Sequence, residues 1–170
     1  RGGLWIAAGS FVIWGLMPLY WHLLKTVPSL QIVMHRIVWS ALLVVGGGQA
    51  GLSIAARLTQ LQVDTLIVDR EARIGDNWRK RYHALTLHNQ VQVNHLPYMP
   101  FPPSWPTYIP KDKLAGWFEA YVEGMELNYW TATEFEGGAY NEKEERWSVA
   151  LRRADGTKRE MHPRHVVMAT

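Results

Sequence analysis

Residues 42–58, LLVVGGGQAGLSIAARL, decide the fold that this sequence predicts. The short apolar run Leu42 to Val45 has the length and composition of a buried strand. The next six residues, GGGQAG, fit the spacing G-x-G-x-x-G, with Gly46, Gly48 and Gly51 at the glycine positions and Gln49 and Ala50 between them. Glycines in such a turn let the backbone approach a pyrophosphate, which then lies at the positive end of the following helix. The helix itself is predicted from the apolar spacing of Leu52, Ile54, Ala55, Leu58 and Leu61.

A second strand and an acidic residue follow at the expected distance. The segment VDTLIVDR, residues 63–70, predicts a buried strand ending at Asp69, which lies 18 residues after Gly51. In dinucleotide-binding folds a carboxylate at this place can bond a ribose hydroxyl. Strand, glycine turn, helix, strand and acid therefore occur in the order of a βαβ unit. The sequence predicts an α/β, Rossmann-like fold with a parallel sheet and a dinucleotide site.

The rest of the chain predicts further elements of an α/β domain. Six prolines between His95 and Pro110 indicate an ordered irregular loop. Residues 111–125 have helical periodicity, with an apolar face formed by Leu114, Trp117, Phe118, Tyr121 and Val122. Three strand predictions follow: a third parallel strand at 127–133, a hairpin of 146–153 and 158–161 around the turn ADGT, and a buried strand at 165–170. The antiparallel strands would form a β-meander.

Residues 1–41 have a different character. The run from Leu4 to Leu24 contains no formal charge. It is long enough to span a bilayer as a helix, which takes about 20 apolar residues. Aromatic residues near both ends of the run suit the membrane interface. We predict a hydrophobic helical leader over 1–41 and a membrane contact through residues 4–24, with a buried core helix as the alternative. The dinucleotide domain would then occupy 42–170.

Composition excludes several kinds of function. The leader carries only positive charges, whereas Lys and Arg balance Asp and Glu over 46–170, so the net charge of +3 does not indicate nucleic-acid binding. The chain has no cysteine, which excludes disulfides and thiolate chemistry. It also has no HExxH motif and no GxSxG elbow, so we predict neither a metal site nor a serine hydrolase.

The leader resembles a family of membrane proteins. FVIWGLMPLYWHLL (11–24) and VPSLQIVMHRIVWS (27–40) are similar to the first helices of EamA/RarD-type drug/metabolite exporters. His35 and Arg36 match that pattern, although only about one and a half helices of a many-helix transporter are represented. No polar linker separates Trp39 from Gly46, which favours a chimera of two unrelated fragments.

Residues 42–170 resemble another family. The motifs IGDNWRKRY, LTLHN, LPYMPFPPSWPTYIPKDKLAGW and ELNYWTATE are similar to those of flavin-containing monooxygenases of the single-component bacterial and fungal branch. The resemblance implies FAD as the cofactor and NADPH as the reductant in the parent enzyme.

The resemblance also implies roles for particular residues. Gly46, Gly48 and Gly51 would hold the FAD pyrophosphate, and Asp69 the adenosine ribose. Arg70 would lie beside the adenine, Trp78 and Arg79 along the cofactor, and His88, Asn89 and Gln90 near the flavin ring. Three structural alternatives remain open: Trp78 suits a hydrophobic core, residues 79–81 suit a solvated basic patch, and His88 suits a hydrogen-bonded structural role.

The expected function is that of an FAD-binding part of an NADPH-using monooxygenase, which oxygenates a small substrate at nitrogen, sulfur or a carbonyl. No second G-x-G-x-x-G follows Gly51, so we expect FAD binding without full turnover, and whether the chain is itself an enzyme stays open. The flavin domain would be cytoplasmic, with any membrane association through the leader. The alternatives are a membrane-anchored flavin oxidoreductase and a transporter fragment with an incidental fusion. Oligomeric state is not predicted.

Overall fold

The computed structural model describes residues 42–170. The predicted leader, its exporter-like segments and the chimera interpretation all fall on residues 1–41 and lie outside this part. Within 42–170, no helix is both long enough and apolar enough to cross a bilayer.

The described residues form seven strands and three helices. The strands are β1 (Leu42–Val45), β2 (Thr65–Val68), β3 (Tyr129–Trp130), β4 (Thr133–Asn141), β5 (Arg146–Arg153), β6 (Lys158–Met161) and β7 (His165–Met168). The helices are α1 (Gln49–Gln60), α2 (Asp76–Arg79) and α3 (Lys111–Gly124), with a 3₁₀ turn at Val91–Val93.

Two sheets of different kind build the domain. The first is parallel, with the order β3-β2-β1-β7, and β1 lies between β2 and β7. The second is an antiparallel meander with the order β4-β5-β6. The predicted α/β, Rossmann-like fold with a parallel sheet and a β-meander is therefore confirmed.

The parallel sheet is covered by helices on one face and by the meander on the other. Alternate residues of a strand point to opposite faces. Val44 of β1 and Ile67 of β2 pack with α1 and α3 in one apolar cluster. The neighbouring positions pack against the meander in a second cluster, which contains Leu43, Val45, Leu66, Val68, Val149 and Leu151. Both faces of the two strands β1 and β2 are thus buried, as expected within a parallel sheet.

Helix α1 begins at the glycine turn and is followed by a left-handed residue. Its buried face includes Leu52 and Ala55, as predicted. Leu61, the last residue of the predicted helical spacing, lies just outside the helix and is 51% exposed. The helix ends at Gln60, and the chain turns at Gln62 with φ 57°.

Helix α3 supplies the largest buried side chains. Phe118 and Tyr121 are fully buried, together with Leu114, on the face that the sequence predicts. The loop before it is ordered although it is irregular. Phe101 stacks on Trp105 with ring centroids 4.9 Å apart, and the Phe101 amide donates to Nδ1 of His95 at 2.9 Å.

Two strand predictions were only partly right. The third parallel strand comprises only Tyr129–Trp130, because Thr133 already begins β4. Strand β7 has the predicted position but is not buried: Met168 is 56% exposed. In the part of the chain that the structure describes, β7 pairs with β1 alone and so forms an edge of the sheet.

Alkaline pH is expected to destabilise this domain through Tyr121. Its hydroxyl donates to the Pro97 carbonyl at 2.8 Å, and burial raises the pKa of the phenol from 10.0 to about 12. The unfolded chain therefore loses this proton at lower pH than the folded chain. The stabilising contribution is complete below pH 10.0 and is lost as pH rises to about 12.

Urea unfolding of wild type and Tyr121→Phe across this pH range tests the prediction. The variant should lose less stability than wild type between neutral and alkaline pH. Tyr108→Phe, a change at an exposed tyrosine, is the matched control and should follow wild type. An equal alkaline loss in wild type and Tyr121→Phe would contradict the assignment.

Candidate functional site

The carboxyl ends of three parallel strands meet at the candidate site. Gly46 follows β1, Asp69 follows β2 and Ala169 follows β7. The Gly46 amide donates to the Val68 carbonyl at 2.9 Å, and the Ala169 amide donates to the Val45 carbonyl at 2.8 Å. Ligands of open α/β sheets bind at this end of the strands.

The glycine turn is packed so closely that side chains are excluded. Gly46 has φ +106°, and a Cβ atom built on it would lie 2.6 Å from the Ala169 carbonyl oxygen. A Cβ atom on Gly51 would lie 1.9 Å from the carbonyl oxygen of Gly46, where α1 crosses the end of β1. The structure therefore gives a steric reason for glycine at two of the three predicted positions.

The N-terminal turn of α1 is open to an anion. Its cap residue, Gly48, has no side chain that could accept hydrogen bonds from the first amides of the helix, and the first turn contains no acidic residue. Gln49 and Ala50 are exposed there. Uncapped amides and the positive end of the helix dipole attract a phosphate group. A Cβ atom on Gly48 would lie 3.3 Å from Nδ2 of Asn77, so α2 borders the same turn.

Asp69 lies directly beside the glycine turn. Its Oδ2 accepts the amide hydrogen of Gly47 at 2.6 Å, and its Oδ1 accepts that of Glu71 at 2.8 Å. The carboxylate is partly buried and held by the backbone on both oxygens. The structure thus brings the predicted ribose acid and the predicted pyrophosphate turn together.

Trp78 is a residue of α2 with an unused hydrogen-bond donor. Its indole packs against the apolar cluster that contains α1 and α3. Its Nε1 is buried and has no hydrogen-bond partner among the residues that the structure describes. Because a buried donor is costly when it has no partner, a polar group of a ligand would satisfy it. Nε1 of Trp117 in α3 is likewise buried without a partner in the described part of the chain, so an unused indole donor does not by itself mark a ligand contact. The uncapped turn and Asp69 fit a dinucleotide, and the role of Trp78 along the cofactor stays a prediction.

The two arginines that were predicted to contact the cofactor, Arg70 and Arg79, differ in exposure and in their partners. Arg79 is engaged between α2 and α3: its Nη1 donates to the Ile74 carbonyl at 2.5 Å, and its Nη2 lies 3.0 Å from Glu119 Oε2. Arg70 is exposed, with Nε 4.0 Å from Glu71 Oε1. Of the predicted basic patch, Arg79 and Lys80 are both paired with carboxylates.

His88, Asn89 and Gln90 lie on a loop and are exposed. The loop is fixed by its backbone, because the Val91 amide donates to the Thr107 carbonyl at 2.7 Å. The Asn94 side chain also donates to the carbonyl of Gln90 at 2.8 Å. The roles of these three residues near a flavin ring stay predictions.

An open cleft of about 420 Å³ lies at the other end of the sheet. The cleft includes His165, the first residue of β7, which pairs with Leu42 at the start of β1. The glycine turn lies at the opposite end of β1, after Val45. The lining residues of the cleft are Tyr140, Glu145, Trp147, Arg164 and His165. The cleft is therefore separate from the candidate site.

Sequence reasoning missed two residues of the site. Gly47, at a variable position of the motif, donates its amide to Asp69, and a Cβ atom on it would lie 1.6 Å from Oη of Tyr129. Tyr129 comes from β3, which is far from Asp69 along the chain. The third consecutive glycine was the only signal for Gly47. Tyr129 lies within the motif ELNYWTATE, but nothing in that motif indicates a contact with the glycine turn.

The parallel sheet, the glycine turn into α1 and the acid after β2 define a Rossmann-like dinucleotide-binding domain. Comparison with known proteins supports this class. Residues 44–104 match the family model described as an NAD(P)-binding Rossmann-like domain. The fold is also similar to bacillithiol disulfide reductase from Bacillus cereus, with a TM-score of 0.71 at 16% identity over 77% of this chain and 39% of that one.

More specific similarity is to flavin-dependent monooxygenases. The probable indole-3-pyruvate monooxygenase YUCCA9 of Arabidopsis thaliana is 32% identical over 138 residues, which are 80% of this chain and 32% of the relative. The flavin-containing monooxygenase from Stenotrophomonas maltophilia has a TM-score of 0.66 at 27% identity, over 76% of this chain and 38% of that one. The chain thus spans about a third of the length of the curated relative. These relatives support FAD as the cofactor, with NADPH in the family.

Proposed function

We propose that residues 42–170 bind FAD and form the FAD-binding part of a flavin-dependent, NADPH-using monooxygenase. The observation that carries the proposal is the contact between the Gly47 amide and Asp69 Oδ2 at 2.6 Å. It places an uncapped, glycine-lined helix N-terminus beside a fixed carboxylate, which are the two features that a ribose and a pyrophosphate need.

Different residues of the proposed site would bind different parts of FAD. Gly46, Gly48 and Gly51 leave room for the pyrophosphate at the start of α1, where Gln49 and Ala50 present backbone amides. Asp69 accepts a hydrogen bond from the adenosine ribose. The buried Nε1 of Trp78 donates to a polar atom of the cofactor.

The proposal includes three further sets of residues. Arg70 would lie beside the adenine and Arg79 along the cofactor. The flavin ring would be approached by His88, Asn89 and Gln90. For Arg79 the engagement with Glu119 and the Ile74 carbonyl indicates an indirect role, in which it holds α2 in place. FAD supplies reversible electron-transfer and oxygen chemistry at its ring system, and the chain supplies binding and orientation.

The activity of the longer relatives suggests the reaction. We propose oxygenation of a small substrate at nitrogen, sulfur or a carbonyl, with NADPH as reductant and with cytoplasmic location of the FAD-binding part. The division into a leader over 1–41 and an FAD-binding domain over 42–170 is part of the same proposal. A membrane-anchored oxidoreductase and a transporter fragment both depend on residues 1–41.

An FAD titration tests the proposal. After equilibrium dialysis against FAD, the compartment that contains the 170-residue chain should show more flavin absorbance than the compartment without protein. Asp69→Asn should weaken FAD binding about tenfold, since a hydrogen bond to a charged group contributes about 1.5 kcal/mol.

Asp64→Asn is the matched control. Asp64 is exposed and precedes β2, whereas Asp69 follows it, so the same chemical change occurs at the opposite end of the strand. This variant should bind FAD like wild type. A folded chain that retains no FAD would refute the proposed function, and equal affinity of all three proteins would refute the role of Asp69.

A further inference from the structure

The side chain of Asn77 lies beside the first turn of α1. A Cβ atom built on Gly48, the cap residue of this helix, would lie 3.3 Å from Nδ2 of Asn77. Apart from Gly48 and its chain neighbours, no other atom of the described residues would lie within 4 Å of it. The carboxamide of Asn77 is therefore close to the place that the side chain of an ordinary cap residue would occupy, and its nitrogen is the nearer end.

This orientation brings hydrogen-bond donors together without an acceptor. A capping side chain presents an oxygen to the first amides of a helix, because those amides are donors without partners in the helix. Asn77 presents its nitrogen, which is also a donor. In the part of the chain that the structure describes, the side-chain hydrogen bond at Asn77 is from Nε of Arg81 to its backbone carbonyl at 3.3 Å, so the carboxamide is left to bind a ligand. Donors that converge from two segments fit an anion.

Contacts with α3 fix the position of Asn77 relative to α1. The ammonium group of Lys111 donates to the Arg79 carbonyl at 2.9 Å, and Nη2 of Arg79 lies 3.0 Å from Oε2 of Glu119. The carboxylate of Asp76, which precedes Asn77 on α2, is itself paired with Nη1 of Arg79 at 3.2 Å. A donor that is already held in place loses little conformational freedom when a ligand binds.

We propose that Asn77 is a binding residue for the pyrophosphate of the cofactor, and that its Nδ2 donates to a phosphate oxygen at the start of α1. This inference rests on the proposed FAD site and adds to it a contact from a second helix. It also gives a reason for glycine at position 48, because a side chain there would compete with the carboxamide of Asn77 for the same space.

The test compares FAD affinities of wild type, Asn77→Leu and Asn77→Asp, measured on the 170-residue chain by equilibrium dialysis. EDTA is present, so that no divalent cation bridges the new carboxylate and the phosphates. Asn77→Leu should weaken FAD binding roughly tenfold, as expected for the loss of one hydrogen bond to a charged group. Asn77→Asp should weaken it further, by roughly thirtyfold or more in total, because its carboxylate also repels the phosphates.

Urea midpoints distinguish a ligand contact from a structural role. A carboxylate near a helix N-terminus interacts favourably with the helix dipole. The midpoint of Asn77→Asp should therefore be at least as high as that of Asn77→Leu, although its FAD affinity is lower. If Asn77 only supported the fold, the two variants would lose affinity in the same order in which they lose stability.

Asn141→Asp is the matched control for the added charge. Asn141 is exposed at the last residue of β4, a strand whose first residue, Thr133, donates its amide to the Asp69 carbonyl at 2.8 Å. Oδ1 of Asn141 accepts the amide hydrogen of Lys143 at 3.0 Å, and aspartate retains this acceptor. The variant should keep the FAD affinity and the urea midpoint of wild type.

The outcomes separate the two proposals. A folded wild-type chain that retains no FAD refutes the proposed function, and the role of Asn77 with it. If wild type binds FAD and Asn77→Asp binds it as tightly as Asn77→Leu or more tightly, the FAD site stands and the donor role of Asn77 is overturned. Equal affinities of wild type and Asn77→Leu would overturn that role as well.

Discussion

Gly51→Ala is expected to lower the free energy of unfolding by about 3 kcal/mol and to abolish FAD retention, since overpacking of a close contact has a cost of this size. The new Cβ atom would lie 1.9 Å from the carbonyl oxygen of Gly46 and 3.4 Å from Cγ1 of Val44. Backbone oxygen cannot rotate away as a side chain does. Helix α1 would have to move away from β1, and the N-terminal turn would move with it.

Gly116→Ala is the matched control for this change. Gly116 also lies in a helix, α3, but a Cβ atom there would meet no atom within 4 Å. Because alanine is the better helix former, this variant should be more stable than wild type by about 0.5–1 kcal/mol. Urea unfolding followed by circular dichroism measures both. Similar stabilities for the two variants would mean that α1 and β1 are not packed as closely as the structure shows.

Lys111→Met is expected to cost about 2 kcal/mol, as is typical for a lost hydrogen bond from a charged donor. Lys111 is the first residue of α3 and is only 6% exposed. Its ammonium group donates to the Arg79 carbonyl at 2.9 Å and to Asp112 Oδ1 at 2.7 Å. The Arg79 carbonyl belongs to the last residue of α2, where a cation also favours the helix dipole. The variant should therefore loosen α2, which carries Trp78.

Lys143→Met is the control, because Lys143 is exposed on the turn between β4 and β5. Its stability should stay within about 0.5 kcal/mol of wild type, as for most surface changes. FAD affinity provides a second measurement: Lys111→Met should weaken it and Lys143→Met should not. An unchanged urea midpoint for Lys111→Met would contradict the structural role of this ammonium group.

Local sequence patterns were sufficient for the core of the βαβ unit. Short-range periodicity predicted the strand before Gly46, the helix after Gly51 and the strand before Asp69, and the structure has all three elements. The ribose role of Asp69 stays a prediction. Helix α3 and the hairpin around residues 154–157 were predictable for the same reason.

What the sequence could not show depends on contacts between distant segments. In the sequence Lys111 looks like an ordinary surface lysine. Only the structure shows that its ammonium group donates to the carbonyl of Arg79, the last residue of α2. Gly75, with φ +84°, allows α2 to approach α3 so closely that a Cβ atom would lie 2.5 Å from the Ala115 carbonyl oxygen. The half-exposed β7 looked like a buried strand because apolar composition does not tell an edge from a centre.

The pairing of β1 also bears on the order in which the protein folds. Leu42 pairs with Thr65, which is near it along the chain, and with His165, which is several times farther away. Closing the longer loop costs about 1.5 kcal/mol more in chain entropy, so β1 and β2 should associate early and β7 late. Ala169, just after β7, is the residue that packs against Gly46. The nucleotide site would then be completed only in the last stage of folding, and slow gain of cofactor affinity during refolding would be its kinetic signature.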